Sequence, residues 1–145
     1  MTRLITHFSQ QGKRVVAVKS APHQYDLQPS AKDTFKFLEA GAPIVYLASH
    51  NELLTMRKIS SAEEIFAQLE REVTSENCDF LLLEGLRNPT IPKIEVFDSR
   101  HNEAPKFPFN QLAAIVTDKP VTDLIPNLNY ENIEDIAHFM EVYHE

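Results

Sequence analysis

A chain of 145 residues, 43% hydrophobic and 24% charged, suits one globular domain over 1–145 that can bury a real core. Its formal charge of −7, from 21 acidic against 14 basic side chains, argues against a nucleic-acid partner but leaves room for a small anion held by local lysines. A single cysteine, Cys78, excludes an internal disulfide, and no apolar run is long enough to cross a membrane.

The N-terminus carries no apolar core of a secretory signal, so the expected location is the cytoplasm. Residues 1–11 place Leu4, Ile5 and Phe8 on one helical face, and Gly12 is a natural stop. Arg14 to Lys19 (RVVAVK) reads as a buried strand, and 20–31, with Pro22 and Pro29, as a loop. Lys32 to Ala40 fits a helix closed by Gly41. Pro43 to Ala48 and Leu53 to Ile59 follow as strands. Ser60/Glu63 and Ser61/Glu64 are capping-box pairs that open a helix from about Ala62 to Thr74. Asp79 to Glu84 (DFLLLE) is the most apolar strand, with Cys78 before it as an inert thiol, and Lys93 to Phe97 is another. Asp98 to Phe109 reads as a long loop, Leu112 to Val116 as the last strand, and Glu131 to Tyr143 as a closing helix.

Continuous apolar strands interleaved with helices predict an α/β fold, a mostly parallel sheet with helices on both faces. Ligands of such sheets bind beyond the carboxyl ends of the strands, which singles out Lys19, Ser49, Glu84, Gly85, Thr117 and Asp118. Leu81-Leu82-Leu83-Glu84-Gly85 is the sharpest signal. A buried strand ending in a carboxylate resembles the second motif of P-loop nucleotide-binding proteins, where the carboxylate approaches Mg²⁺ and glycine admits the terminal phosphate. The competing reading is a charged residue at a strand's wet end. Lys19 offers an ammonium at the same edge, or a solvated strand end. His23 and Asp26 are two ligands, too few for a protein zinc site. Asp33, between Lys32 and Thr34, suits either a helix dipole or a ligand. Asp118 after Thr117 suits either a guanine base or a turn before Pro120. The phosphate loop itself is absent: the chain has three glycines, and Gly12-Lys13-Arg14 lies between a helix and a strand, the reverse of the required order.

Taken together, Lys19 to Ala42 (KSAPHQYDLQPSAKDTFKFLEAGA) resembles the molybdopterin-guanine dinucleotide biosynthesis protein B (MobB) family, through Lys19, His23, Asp26, Lys32, Asp33, Thr34 and Ala40-Gly41-Ala42. Phe80 to Phe97 and Val116-Thr117-Asp118 with Pro120 are similar to its later motifs. Ser20 and Pro22 stand where the family often has histidine, Gln28 replaces an acidic residue, and Ala31 a glycine.

The resemblance implies a P-loop NTPase-like fold whose first strand and Walker A loop are missing here, so that the domain is N-terminally incomplete. It implies an accessory GTP-binding protein, a weak GTPase with Mg²⁺ at the phosphates, a homodimer, and a molybdopterin guanylyltransferase as partner. On this chain Glu84 would act at the metal or the attacking water, Gly85 against the γ-phosphate, and Thr117 and Asp118 at the base. Lys19, Lys32 and Arg87 would supply positive charge, with His23, Asp26 and Asp33 as further contacts. Without the loop amides and lysine, the chain is expected to bind nucleotide weakly and to be inactive alone. A non-catalytic scaffold for the guanylyltransferase and a small-molecule kinase-like P-loop enzyme are the alternatives. Loss of a central strand beside DFLLLE predicts marginal stability or self-association.

Overall fold

The computed structural model describes residues 1–21, 32–86, 88 and 90–143. Helix α1 (Thr2–Gln10) buries Phe8 and stops at Gly12, whose φ of +76° only glycine adopts without strain. Strand β1 (Val15–Lys19) lies parallel to β4 (Phe80–Glu84), with Lys19 opposite Glu84. Helix α2 (Lys32–Glu39) covers a hairpin of β2 (Ile44–Ala48) and β3 (Leu53–Arg57), with Leu38, Val45 and Met56 as a small core. In α3 (Ala62–Glu72) the Ser61 hydroxyl accepts from the Glu64 backbone N–H, and the Glu64 carboxylate accepts from that of Ser60. This is the reciprocal cap expected from the sequence, shifted by one residue on the carboxylate side.

Strands β5 (Ile94–Phe97), β6 (Ala114–Thr117) and β7 (Asn127–Asn129) form a second parallel set, closed by α4 (Ile133–Val142). All four residues of β6 are buried, as an apolar strand covered on both faces requires. Helix α1 packs on α4 and on β1, and α4 packs on β7.

The α/β class and the mostly parallel pairing expected from the sequence are present. The sheet, however, is divided: β1-β4, the antiparallel β2-β3 hairpin, and β5-β6-β7 are separate sets among the described residues. The edge of β4 away from β1 has no strand partner there, and neither has the edge of β5 away from β6. Three details differ from expectation. A 3₁₀ turn (Phe109–Gln111) occupies the end of the expected loop, so β6 starts at Ala114 instead of Leu112. Strand β7 is formed by Asn-Leu-Asn, which carries no strand signature of its own. Ser49 sits in the turn of the β2–β3 hairpin, its backbone N–H donating to the Glu52 carbonyl at 2.9 Å, and so does not join the other strand ends.

Candidate functional site

The parallel register of β1 and β4 brings Lys19 and Glu84 side by side at the strands' carboxyl ends. The Lys19 ammonium donates to the Glu84 carboxylate at 2.5 Å. That hydrogen bond, with the attraction of the same ammonium, holds the Glu84 carboxyl below the usual range. Both side chains are open to water, so the pair contributes little to stability and can exchange partners.

The chain then turns at Gly85, with φ of +78°. A Cβ there would lie 3.2 Å from the Ser20 carbonyl oxygen, so Gly85 serves a left-handed turn and a close backbone approach at once. The Ser20 backbone N–H donates to the Glu84 carbonyl at 2.8 Å, extending the β1–β4 ladder past the ion pair.

At the neighbouring set, Thr117 is buried, and its hydroxyl donates to the Lys119 carbonyl at 2.9 Å. The Asp118 carboxylate accepts from the Ser99 backbone N–H at 2.9 Å and the Ser99 hydroxyl at 2.7 Å. These bonds join the ends of β5 and β6 and hold the Asp118 carboxyl below its ordinary range. A carboxylate has about four acceptor positions, so about two remain for a ligand.

Helix α1 relates the two sets. Arg3 donates to the carbonyls of Tyr130 and Glu131, just past β7, at 2.8 and 2.7 Å. The start of α1 also lines one cavity together with Glu84, Gly85 and Tyr130. The first turn of α1 therefore lies near the carboxyl ends of β4 and β7, and β7 runs parallel to β6, which ends at Thr117. The backbone N–H groups of that turn have no side-chain cap, which favours a nearby anion. Beside Asp118, a cavity of about 540 Å³ is lined by Phe97, Arg100, His101 and Lys119. Arg100 is committed to Asp98 through two hydrogen bonds and lies 5.7 Å from the Tyr130 ring centre.

Of the other residues expected at the site, Asp33 accepts from Lys36 at 2.7 Å on the surface of α2. Lys32 begins α2. His23, Asp26, Arg87 and the side chain of Lys32 lie outside the described residues. Sequence reasoning passed over Arg3, Ser99 and Lys119. Lys119 directly follows Thr117-Asp118 and was open to the same argument, whereas Arg3 and Ser99 gain their roles only through long-range packing.

A sequence profile described as Molybdopterin guanine dinucleotide synthesis protein B, MobB, matches residues 1–118. The chain belongs to the MobB family. It is 24% identical over 143 residues to the molybdopterin-guanine dinucleotide biosynthesis adapter protein of Escherichia coli (strain K12), covering 97% of this chain and 82% of that protein. The like-named protein of Haemophilus influenzae is 26% identical over 148 residues, with 97% and 79% covered. A solved MobB structure, described as molybdopterin-guanine biosynthesis protein B, superposes with a TM-score of 0.69 at 26% identity, covering 97% of this chain and 87% of that one. Bacillus subtilis MobB, at 18% identity, shares the fold with a TM-score of 0.65 over 95% and 86% of the chains. No helix among the described residues is long and apolar enough to cross a membrane.

Paired carboxyls at both ends of the strands predict acid sensitivity for this MobB chain. The carboxyls of Asp79 beside Arg14, Asp98 beside Arg100, Glu84 beside Lys19 and Asp118 beside Ser99 all lie below their ordinary values. A lowered native value means stability that is complete above the unfolded carboxyl range, about pH 4, and is lost as pH falls through the native values. Urea midpoints are expected to stay level from about pH 7 to 5 and to fall steadily below about pH 4. A midpoint that rises on acidification contradicts these ion pairs.

Proposed function

We propose that this chain is a cytoplasmic accessory protein of molybdopterin guanine dinucleotide biosynthesis. It meets a guanine nucleotide only weakly and acts through contact with a guanylyltransferase. The reading rests on Lys19, Glu84 and Gly85 lying together beside the start of α1, with Asp118 ending the neighbouring parallel set. Lys19 and the α1 N–H groups are suited to phosphate oxygens, and the free acceptor positions of Asp118 to the N–H groups of a guanine base. Thr117 contributes by fixing the turn that aims Asp118.

Hydrolysis is a different matter. The sequence offers no glycine-rich loop to cradle the β and γ phosphates. Glu84 is ion-paired to Lys19, and the described residues contain no group of three His, Cys, Asp or Glu able to hold a metal. A Mg²⁺ arriving with a nucleotide would be held by Glu84 and the phosphates once Lys19 gives the carboxylate up, and no step is derived through it. Glu84 is accordingly read as the partner that positions Lys19 and gives it up when a phosphate arrives.

A fluorescent GTP analogue titrated into the chain is expected to bind with a Kd of about a tenth of a millimolar or weaker. Phosphate release should not exceed the uncatalysed rate. Micromolar affinity or measurable turnover overturns the weak-binding reading. The scaffold alternative is favoured by one observation: Lys19 and Glu84 are already paired with each other inside the chain. Retention of a guanylyltransferase by a chain that shows no nucleotide binding even at millimolar concentration would select it.

A homodimer is part of the same reading. The face of the β2–β3 hairpin that carries Ile44, Tyr46 and Leu53 exposes all three, an apolar patch.

A further inference from the structure

Asp118 is clasped by the turn that follows β5. The parallel register sets Phe97 opposite Thr117, which brings the residues after them together. The turn itself is tied at several points. The Asp98 carboxylate accepts from the Arg100 backbone N–H at 2.9 Å and from its guanidinium at 2.9 and 2.7 Å. The Asp98 carbonyl accepts from the backbone N–H groups of His101 and Asn102, both at 3.1 Å. The Arg100 guanidinium in turn lies over the ring of Tyr130, directly after β7. From this turn Ser99 reaches the end of β6 twice. Its backbone N–H donates to Asp118 Oδ1 at 2.9 Å, and its hydroxyl donates to Oδ2 at 2.7 Å. Each carboxylate oxygen thus takes one bond. With about two acceptor positions per oxygen, one remains on each. A carboxylate pinned at both oxygens has a fixed plane and cannot turn about its Cβ–Cγ bond.

We propose that Ser99 is a positioning residue for base selection, whose hydroxyl fixes the plane of the Asp118 carboxylate so that both oxygens stay aligned for the paired N1–H and N2–H donors of guanine. The inference rests on the guanine-nucleotide reading of Asp118. Ser99 acts through Asp118 and makes no contact with the base itself. Held by the residue-99 backbone N–H alone, the carboxylate could turn and would keep one oxygen on the base. It would then read N1–H, which guanine shares with hypoxanthine. The 2-amino group separates these two bases, and reading it needs the second oxygen in place. The contribution of the hydroxyl is therefore to discrimination and not to nucleotide binding in general. The phosphates are common to both nucleotides and cancel in the ratio of affinities.

The test compares the Kd of GTP with that of inosine triphosphate, which lacks only the 2-amino group, read from amide shifts of the labelled whole chain. The native chain is expected to prefer GTP by about tenfold, the worth of one hydrogen bond to a charged acceptor. Ser99→Ala should reduce that preference to about twofold, and Ser99→Thr, which keeps the hydroxyl, should restore it. The alanine variant retains the residue-99 backbone N–H and the β5–β6 pairing, so the fold is expected to survive it. A native preference that Ser99→Ala leaves unchanged overturns the inference, even if both nucleotides bind more weakly, because a merely structural serine would act on both alike. A loss that Ser99→Thr fails to restore overturns it as well. Equal affinity of the native chain for the two nucleotides overturns the guanine reading itself, and the inference with it.

Discussion

Phe8→Ala is expected to remove about 3–5 kcal/mol of stability, the largest loss among single truncations of the apolar core. Phe8 is fully buried and stacks on Phe80 with ring centroids 4.0 Å apart and planes 15° apart. It ties α1 to the first residue of β4, and the backbone turn after α1 depends on its carbonyl, which accepts from Lys13 at 3.0 Å. Alanine would open a cavity of a whole ring between these elements. Net stabilities of about 5–15 kcal/mol leave little after such a loss, so the variant should unfold near room temperature or fail to accumulate. Phe8→Leu, which keeps much of the volume, should cost less than half as much. Urea unfolding followed by circular dichroism reads both. A loss below about 1 kcal/mol for the alanine variant would mean that α1 is not docked as described.

The second large effect is expected at Glu95. This carboxylate is 9% exposed, in the middle of β5, and accepts from the backbone N–H groups of Lys106 at 2.6 Å and Phe107 at 3.1 Å. It holds the returning segment against β5. Glu95→Leu keeps the bulk but strands two donors, at an expected cost of about 2–4 kcal/mol. Glu95→Gln keeps one acceptor oxygen and should lose about half of that. Amide exchange at Lys106 and Phe107 should accelerate in the leucine variant. Unchanged exchange there, with unchanged stability, would contradict the contact.

These two positions show what the sequence makes legible. Phe8 stands out because Leu4, Ile5 and Phe8 share a helical face before Gly12, so its burial follows from periodicity alone. Strand β6 is legible for a related reason: it is an uninterrupted apolar run, as a strand covered on two faces must be, whereas the equally apolar β4 buries only Leu82. Glu95 is hidden, because an acidic residue inside KIEVF reads as the solvent side of a half-buried strand. Its partners lie about ten residues on, in a loop whose path is set by proline geometry and packing. Strand β7 is hidden because Asn-Leu-Asn has neither alternation nor β-branched residues and depends on pairing with β6.

The candidate site divides in the same way. Strand ends can be read off apolar runs, so Lys19, Glu84, Thr117 and Asp118 could be chosen before their geometry was known. Ser49 fails that rule because a run of apolar residues does not reveal whether its partner is parallel or antiparallel, and β2 turns back into a hairpin. The Lys19–Glu84 ion pair and the Ser99–Asp118 clasp were likewise invisible, since each depends on register between distant segments. The ion pair bears on function, because Lys19 meets an anion only by exchange with Glu84.

The most direct test is a nitrogen-proton correlation spectrum of the labelled chain, recorded while GTP is added up to millimolar concentration. Progressive, saturable shifts are expected at the amides of Ser20, Gly85, Thr117, Asp118 and Lys119, with little change along the β2–β3 hairpin. Shifts confined to the hairpin or to α3 would show that no shared anion site exists where β1, β4 and β6 end.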